Sequence, residues 1–174
     1  MMKFITNLEK SNPELDFSDE KLFTGPENSY WLIPGKILCG EYPYGINVIQ
    51  HYCNSFVDLR RYKYYNYQEE LLENINYKNY PITDHGTPSK IFCKQIINYI
   101  LTELKNKKTI YIHCYGGHGR TGMITAILLK ILQPNISGGE SLEVISHLHS
   151  YRNDKGDDIP SPETKEQREY VINY

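Results

Sequence analysis

Cys114 and Arg120 stand six positions apart in the run His113-Cys114-Tyr115-Gly116-Gly117-His118-Gly119-Arg120-Thr121-Gly122. An ionised cysteine is a strong nucleophile. A guanidinium offers a planar fork of donors that matches two oxygens of a phosphate. Gly116, Gly117 and Gly119 omit the side chains that would keep backbone N–H groups away from an anion. With Tyr115 and His118 between them, residues 115–120 read as a phosphate cradle. The cradle's N–H groups, a helix N-terminus and the guanidinium all favour a thiolate at Cys114. That thiolate can attack phosphorus and hold the phosphoryl group as a phosphocysteine. Thr121 can hydrogen-bond the sulfur as it leaves in a second step, or simply begin the helix. His113 either orients the loop through its ring or is a satisfied core histidine.

A loop of this kind needs a strand to deliver it and a helix to receive it. Thr109–Ile112 is a β-branched and aromatic run that reads as a buried strand. Met123–Leu132 is an almost wholly apolar helix. Upstream, Tyr30–Ile33, Lys36–Gly40 and Ser55–Leu59 read as strands, with Tyr77–Tyr80 as a further one. Ile46–Tyr52 and Tyr67–Asn74 read as short helices. Pro81–Pro88, with Gly86 between its prolines, breaks regular structure and marks a loop of fixed path. Ser89 caps a helix over 90–105, with Ile91, Phe92, Ile96, Ile97, Ile100, Leu101 and Leu104 at helical spacing. Gly138-Gly139 precedes a helix over 140–151, residues 152–158 form a polar loop, and Ser161-Pro162-Glu163 opens a last helix. Strands alternating with helices predict an α/β fold in one domain, its central sheet mostly parallel and flanked by helices. Residues 1–29, with little periodicity, read as an irregular N-terminal arm before a catalytic domain over 30–174.

A chain of 174 residues fits a single domain. Its net charge of −2 argues against a broad nucleic-acid or anionic-membrane surface. The four cysteines, at 39, 53, 93 and 114, form no CxxC pair, and no histidine lies at a zinc-finger interval. They read as reduced thiols, three of them buried. His147 and His149, two apart on a helix, face different ways and are assigned no metal; no cofactor is expected. The first nine residues lack the apolar core of a signal peptide, and no run reaches the length of a membrane span. The expected location is the cytoplasm, with the nucleus as the alternative. Sixteen tyrosines against one tryptophan point to half-buried aromatic surface and groove.

Three rival readings of the loop fit less well. Gly117-x-Gly119-x-x-Gly122 has dinucleotide-binding spacing, but the second half of such a domain is missing and Cys114 and Arg120 go unused. A Walker A loop needs Lys at 120 and Gly at 114. A sulfur-transfer enzyme of the rhodanese type leaves the Pro81–Pro88 loop without a role. His113-Cys114-x5-Arg120-Thr121-Gly122 resembles instead the HCx5R(S/T)G signature of the cysteine-based protein phosphatases. With Pro-Ile-Thr-Asp-His-Gly-Thr-Pro upstream, the chain is most similar to dual-specificity phosphatases of the kinase-associated phosphatase type, from about Trp31 onward.

The resemblance implies a protein-tyrosine or dual-specificity phosphatase acting on a phosphorylated protein or peptide. It assigns the general acid to Asp84, thirty residues before Cys114. It also matches Pro160–Gln167 to a tyrosine-phosphatase segment with a water-positioning glutamine, so Gln167 is a supporting candidate. Its shared face with Tyr170, Val171 and Tyr174 favours packing. Asp58 ends a strand, where it can bond nearby loops. Arg60 and Arg61 either touch substrate or are solvated. The alternatives are a phosphoinositide or RNA 5′-triphosphate phosphatase on the same fold, or a non-catalytic phosphate-binding module. The loop has no Lys to meet extra phosphates, although His118 can charge near neutrality. RNA bearing a 5′-triphosphate is the only nucleic-acid partner considered.

Overall fold

The computed structural model describes residues 20–61, 67–152 and 159–174. In it the alternating runs become five strands, β1 (Ser29–Ile33), β2 (Ile37–Gly40), β3 (Ser55–Arg60), β4 (Asn76–Ile82) and β5 (Ile110–His113). They form one sheet in the order β1-β2-β5-β3-β4. Only β1–β2 is antiparallel; the other pairings are parallel. The helices are α1 (Glu20–Phe23), α2 (Ile46–Tyr52), α3 (Lys90–Lys105), α4 (Gly119–Leu132), α5 (Gly138–His149) and α6 (Lys165–Ile172). The expected α/β fold with a mostly parallel sheet is the one observed.

Side chains alternate across a strand, and here that alternation separates two cores. Ile37, Cys39, Val57, Leu59, Ile110 and Ile112 face a large core shared with α3 to α6. Leu38, Phe56 and Tyr111 face a smaller one, closed by Ile46 and Ile49 of α2 and by Tyr67. Covering both faces explains why β2, β3 and β5 are buried at every position. Helix α4, buried from Gly119 to Leu129, packs against α5 and α6. The register sets Asp58 beside His113 and Gly40 on the other side of it. It also brings the ends of β3, β4 and β5 to one edge, the usual place for a site in a parallel sheet.

Several boundaries differ from expectation. Of the arm predicted over 1–29, residues 1–19 lie outside the described residues. The rest is no irregular arm: α1 buries Phe23 in the main core, and Thr24 bridges to Tyr30. The helix predicted over Tyr67–Asn74 is a single 3-10 turn at Gln68–Glu70. Tyr67 is buried while Gln68–Glu70 are exposed, so tertiary anchoring of one ring overrides a weak local preference. Strand β4 continues through Pro81, which the proline pattern assigns to the loop. It is the edge strand, where a missing N–H leaves no ladder bond unmade. The last helix starts at Lys165 because Thr164, not Ser161, closes a capping box with Gln167. Ser137 and Glu140 do the same for α5, which therefore begins at Gly138. On α3, Ile91 is 75% exposed and not part of the buried stripe. Residues 153–158 of the polar loop lie outside the described residues.

Candidate active site

Cys114 follows the last residue of β5, and the next five residues turn the chain into the N-terminus of α4. First-turn N–H groups of a helix have no intrahelical partner, and those of α4 open on a cavity of about 230 Å³. Cys114, Tyr115, Gly116, His118, Gly119 and Arg120 line it from the loop, with Asp84, His85, Ile159 and Glu163 opposite. Cys114 is 3% exposed, and its sulfur accepts a hydrogen bond from the Gly117 N–H at 3.2 Å. The Arg120 guanidinium is buried. One nitrogen donates to the Ile82 carbonyl at 3.3 Å, and another meets the Asp84 carboxylate at 2.6 Å. Nucleophile, cation and acid thus come from the ends of β5, α4 and β4 into one cavity.

Two glycines are required for reasons the sequence did not reveal. Gly117 sits at φ +77°, and a Cβ there would lie 2.5 Å from the Gly40 backbone. A Cβ at Gly119 would lie 2.8 Å from Gln167 Oε1. Gly117 packs against backbone behind the loop and Gly119 against the side chains of the C-terminal segment, demands separate from room for phosphate. Thr121 lies in the first turn of α4, and its hydroxyl donates to the Gly40 carbonyl at 3.5 Å.

His113 is fully buried and serves both roles left open for it. Its Nδ1 donates to the Cys114 carbonyl at 2.9 Å, so Nε2 is the acceptor, and the Tyr67 hydroxyl donates to it at 2.6 Å. Burial pushes the imidazole below its ordinary value, with Asp58 and the Cys114 carbonyl pulling the other way. A neutral ring therefore joins Tyr67 to the root of the loop. Arg60, left open between substrate contact and solvation, is 4% exposed and so is not a solvated cation. It pairs with both Asp58 oxygens and lies 4.2 Å over the Tyr42 ring. Arg61 is exposed and reaches Thr83 at 3.4 Å. Residues 62–66 lie outside the described residues.

The acid loop is held from the C-terminal side. Gly86 N–H closes a turn on the Thr83 carbonyl at 3.0 Å, presenting the Asp84 side chain 65% exposed. Thr164 donates to the His85 carbonyl at 3.3 Å, and Gln167 Nε2 to the Gly86 carbonyl at 3.3 Å. Glu163 lies 3.4 Å from His85. Gln167 is fully buried, and its amide joins the Thr164 cap to the acid loop. Tyr115 is 58% exposed; its hydroxyl meets Tyr44 at 3.1 Å and it also lines a neighbouring groove with Tyr42, Tyr67 and Glu70. His118 turns Nδ1 away toward His149, at 3.0 Å. Glu163, Tyr67 and His149 were not singled out for the site. Their contacts are long-range, and no local spacing announces them.

Burial, the Arg152 guanidinium and His118 lower His149 from 6.5 to about 3. His149 is therefore neutral in the fold but takes up a proton near pH 6.5 when unfolded, and the lowering of His113 by burial acts in the same direction. Between the two values the unfolded chain binds more protons, so stability falls as pH drops below about 6.5 and is independent of these groups above it. Urea melts should lose about 1 kcal/mol per pH unit from His149 alone between pH 6.5 and 5. His149→Gln should reduce that slope. A flat profile in the wild type would overturn the assignment.

Among the described residues, no group of three or more metal-ligating side chains is present and no helix is long and apolar enough to cross a membrane. A family model described as cyclin-dependent kinase inhibitor 3 (CDKN3) matches residues 40–142. Cyclin-dependent kinase inhibitor 3 of Homo sapiens is 39% identical over 70 residues, 40% of this chain and 33% of that protein. Putative tyrosine phosphatase 067L of Invertebrate iridescent virus 3 is 41% identical over 81 residues, 44% of this chain and 33% of that protein. The chain thus spans about a third of the length of these curated relatives. The crystal structure of Tk-PTP in the active form shares the fold, with a TM-score of 0.69 and 21% identity over 86% of this chain and 96% of that one.

Proposed function

We propose, for a chain that belongs to the cyclin-dependent kinase inhibitor 3 (CDKN3) family, that it is a protein-tyrosine or dual-specificity phosphatase working through a phosphocysteine. The observation that carries this reading is the meeting of Cys114, Arg120 and Asp84 in one cavity, with a backbone N–H already on the sulfur. The Cys114 thiolate attacks phosphorus as the bond to the leaving oxygen breaks. Asp84 gives its proton to that oxygen. Loop N–H groups and the Arg120 fork hold the equatorial oxygens, whose charge is greatest in the transition state. Water then attacks the phosphocysteine and gives a proton to Asp84; the S–P bond breaks, releasing inorganic phosphate and restoring the thiolate.

The exposed rings of Tyr44 and Tyr115 beside the cavity favour an aromatic phosphoester in a peptide. Polyphosphorylated substrates fit less well: among the described residues, Asp84 and Glu163 line the cavity and no lysine does. A reducing compartment, cytoplasm or nucleus, belongs to the proposal because the thiol must stay free. The test is phosphate release from p-nitrophenyl phosphate and a phosphotyrosine peptide in the presence of a chelator, beside a phosphothreonine peptide, a phosphoinositide and a 5′-triphosphate RNA. Turnover of the first two is expected. Release only from the lipid or the RNA overturns the substrate class, and release from none overturns the enzyme.

A further inference from the structure

We propose that Arg152 is a positioning residue for the Cys114 thiolate, fixing the Gly116–Gly117 peptide so that its N–H points at the sulfur. A trans peptide is planar, so its carbonyl and N–H point to opposite sides, and this bond is trans. The Arg152 guanidinium donates to the Gly116 carbonyl at 2.9 Å. The Gly117 N–H, at the other side of the same plane, donates to Cys114 Sγ at 3.2 Å. One peptide is thus held between a cation behind the loop and the nucleophile in front of it.

The sequence of the loop cannot hold that plane by itself. Two adjacent glycines have little preference between orientations. Turned over, the peptide would face the thiolate with a carbonyl oxygen in place of a donor. Arg152 is therefore placed with care. It follows α5, its own N–H bonded to the His149 carbonyl at 3.2 Å, and its side chain is 1% exposed. The nitrogen that reaches Gly116 also donates to His149 Nε2 at 3.1 Å. A second nitrogen faces Glu41 at 3.8 Å, and Asn28 holds Glu41 in turn at 2.9 Å. A neutral His149 is an acceptor for Arg152, which agrees with its lowered value. The donating nitrogen is thus held between two acceptors, the Gly116 carbonyl and His149 Nε2.

The proposal rests on the phosphatase reading for its effect on turnover, but its test does not need a phosphorylated substrate. The rate of Cys114 alkylation by iodoacetamide at pH 6, followed by mass spectrometry of the intact folded chain, reports the thiolate directly. Arg152→Met removes the donor and keeps an apolar stem; alkylation should slow about tenfold, the scale of one hydrogen bond to a charged group. The kcat on p-nitrophenyl phosphate should fall by a similar factor. Arg152→Lys restores a single cationic donor and should slow alkylation only about threefold. A merely structural role lowers the thermal midpoint and leaves the alkylation rate alone. If Arg152→Met does not fold, the Lys variant carries the test. A folded variant alkylated at the wild-type rate overturns the proposal, whereas a wild type that alkylates but turns over no phosphoester overturns the phosphatase reading instead.

Discussion

Cys114→Ser abolishes turnover of p-nitrophenyl phosphate, by an expected factor on the order of 10⁴–10⁶. The argument is about one atom. A serine hydroxyl is not ionised near neutrality and is a far poorer nucleophile toward phosphorus. It is nonetheless close in size, and it can accept the Gly117 N–H that Sγ accepts at 3.2 Å. Arg120, Asp84 and the loop keep their partners, so phosphate and phosphopeptide binding should persist within a few-fold. Loss of turnover with retained binding is the pattern to look for; turnover above about 1% of wild type would remove Cys114 as the nucleophile. The other thiols cannot take its place. Cys39, Cys53 and Cys93 are buried in the two cores, and burial pushes all three up. Their replacement by serine should cost stability, through a buried hydroxyl, while leaving the reaction intact in whatever protein remains folded.

The chemistry was legible in the sequence because it is local. Cys114, the glycines and Arg120 sit within one strand–turn–helix unit, and apolar periodicity fixes the strand and helix on either side. Asp84 was reached only through a family likeness, since a lone Asp between prolines is equally a turn residue. What stayed out of reach is whatever depends on chain segments far apart. Arg60 reads as a solvated cation, yet the sheet register and a tyrosine ring bury it against Asp58. Gly117 reads as room for phosphate, yet the Gly40 backbone behind it makes the demand. Gln167 reads as a catalytic or packing residue, yet its amide spans from a helix cap to the acid loop. Pro81 reads as a breaker, and only the position of β4 at the sheet edge makes it harmless. In each case residue type is correct evidence and the missing quantity is the neighbour across the fold.

Asp84→Asn separates the two duties that meet at its carboxylate. An amide cannot donate the proton that general acid catalysis requires, so kcat on a phosphotyrosine peptide should fall about 10²–10⁴-fold. With p-nitrophenyl phosphate the loss should be smaller, because an electron-poor phenolate leaves with less help from a proton. The second duty is electrostatic. Asp84 Oδ1 lies 2.6 Å from the Arg120 guanidinium, the group that must take two phosphate oxygens. A phosphate dianion entering the cavity competes with that carboxylate for the fork and is repelled by it. The asparagine variant removes both obstacles while leaving the loop's anchors, Thr164 on the His85 carbonyl and Gln167 on the Gly86 carbonyl, untouched. Inorganic phosphate and vanadate should therefore inhibit it more tightly than the wild type, by about threefold to tenfold. Steady-state kinetics on the two substrates, with phosphate as inhibitor, read both effects at once. A kcat loss equal for both leaving groups would deny Asp84 the role of acid. Unchanged or weaker phosphate inhibition would mean that its contact with Arg120 does not compete with the substrate.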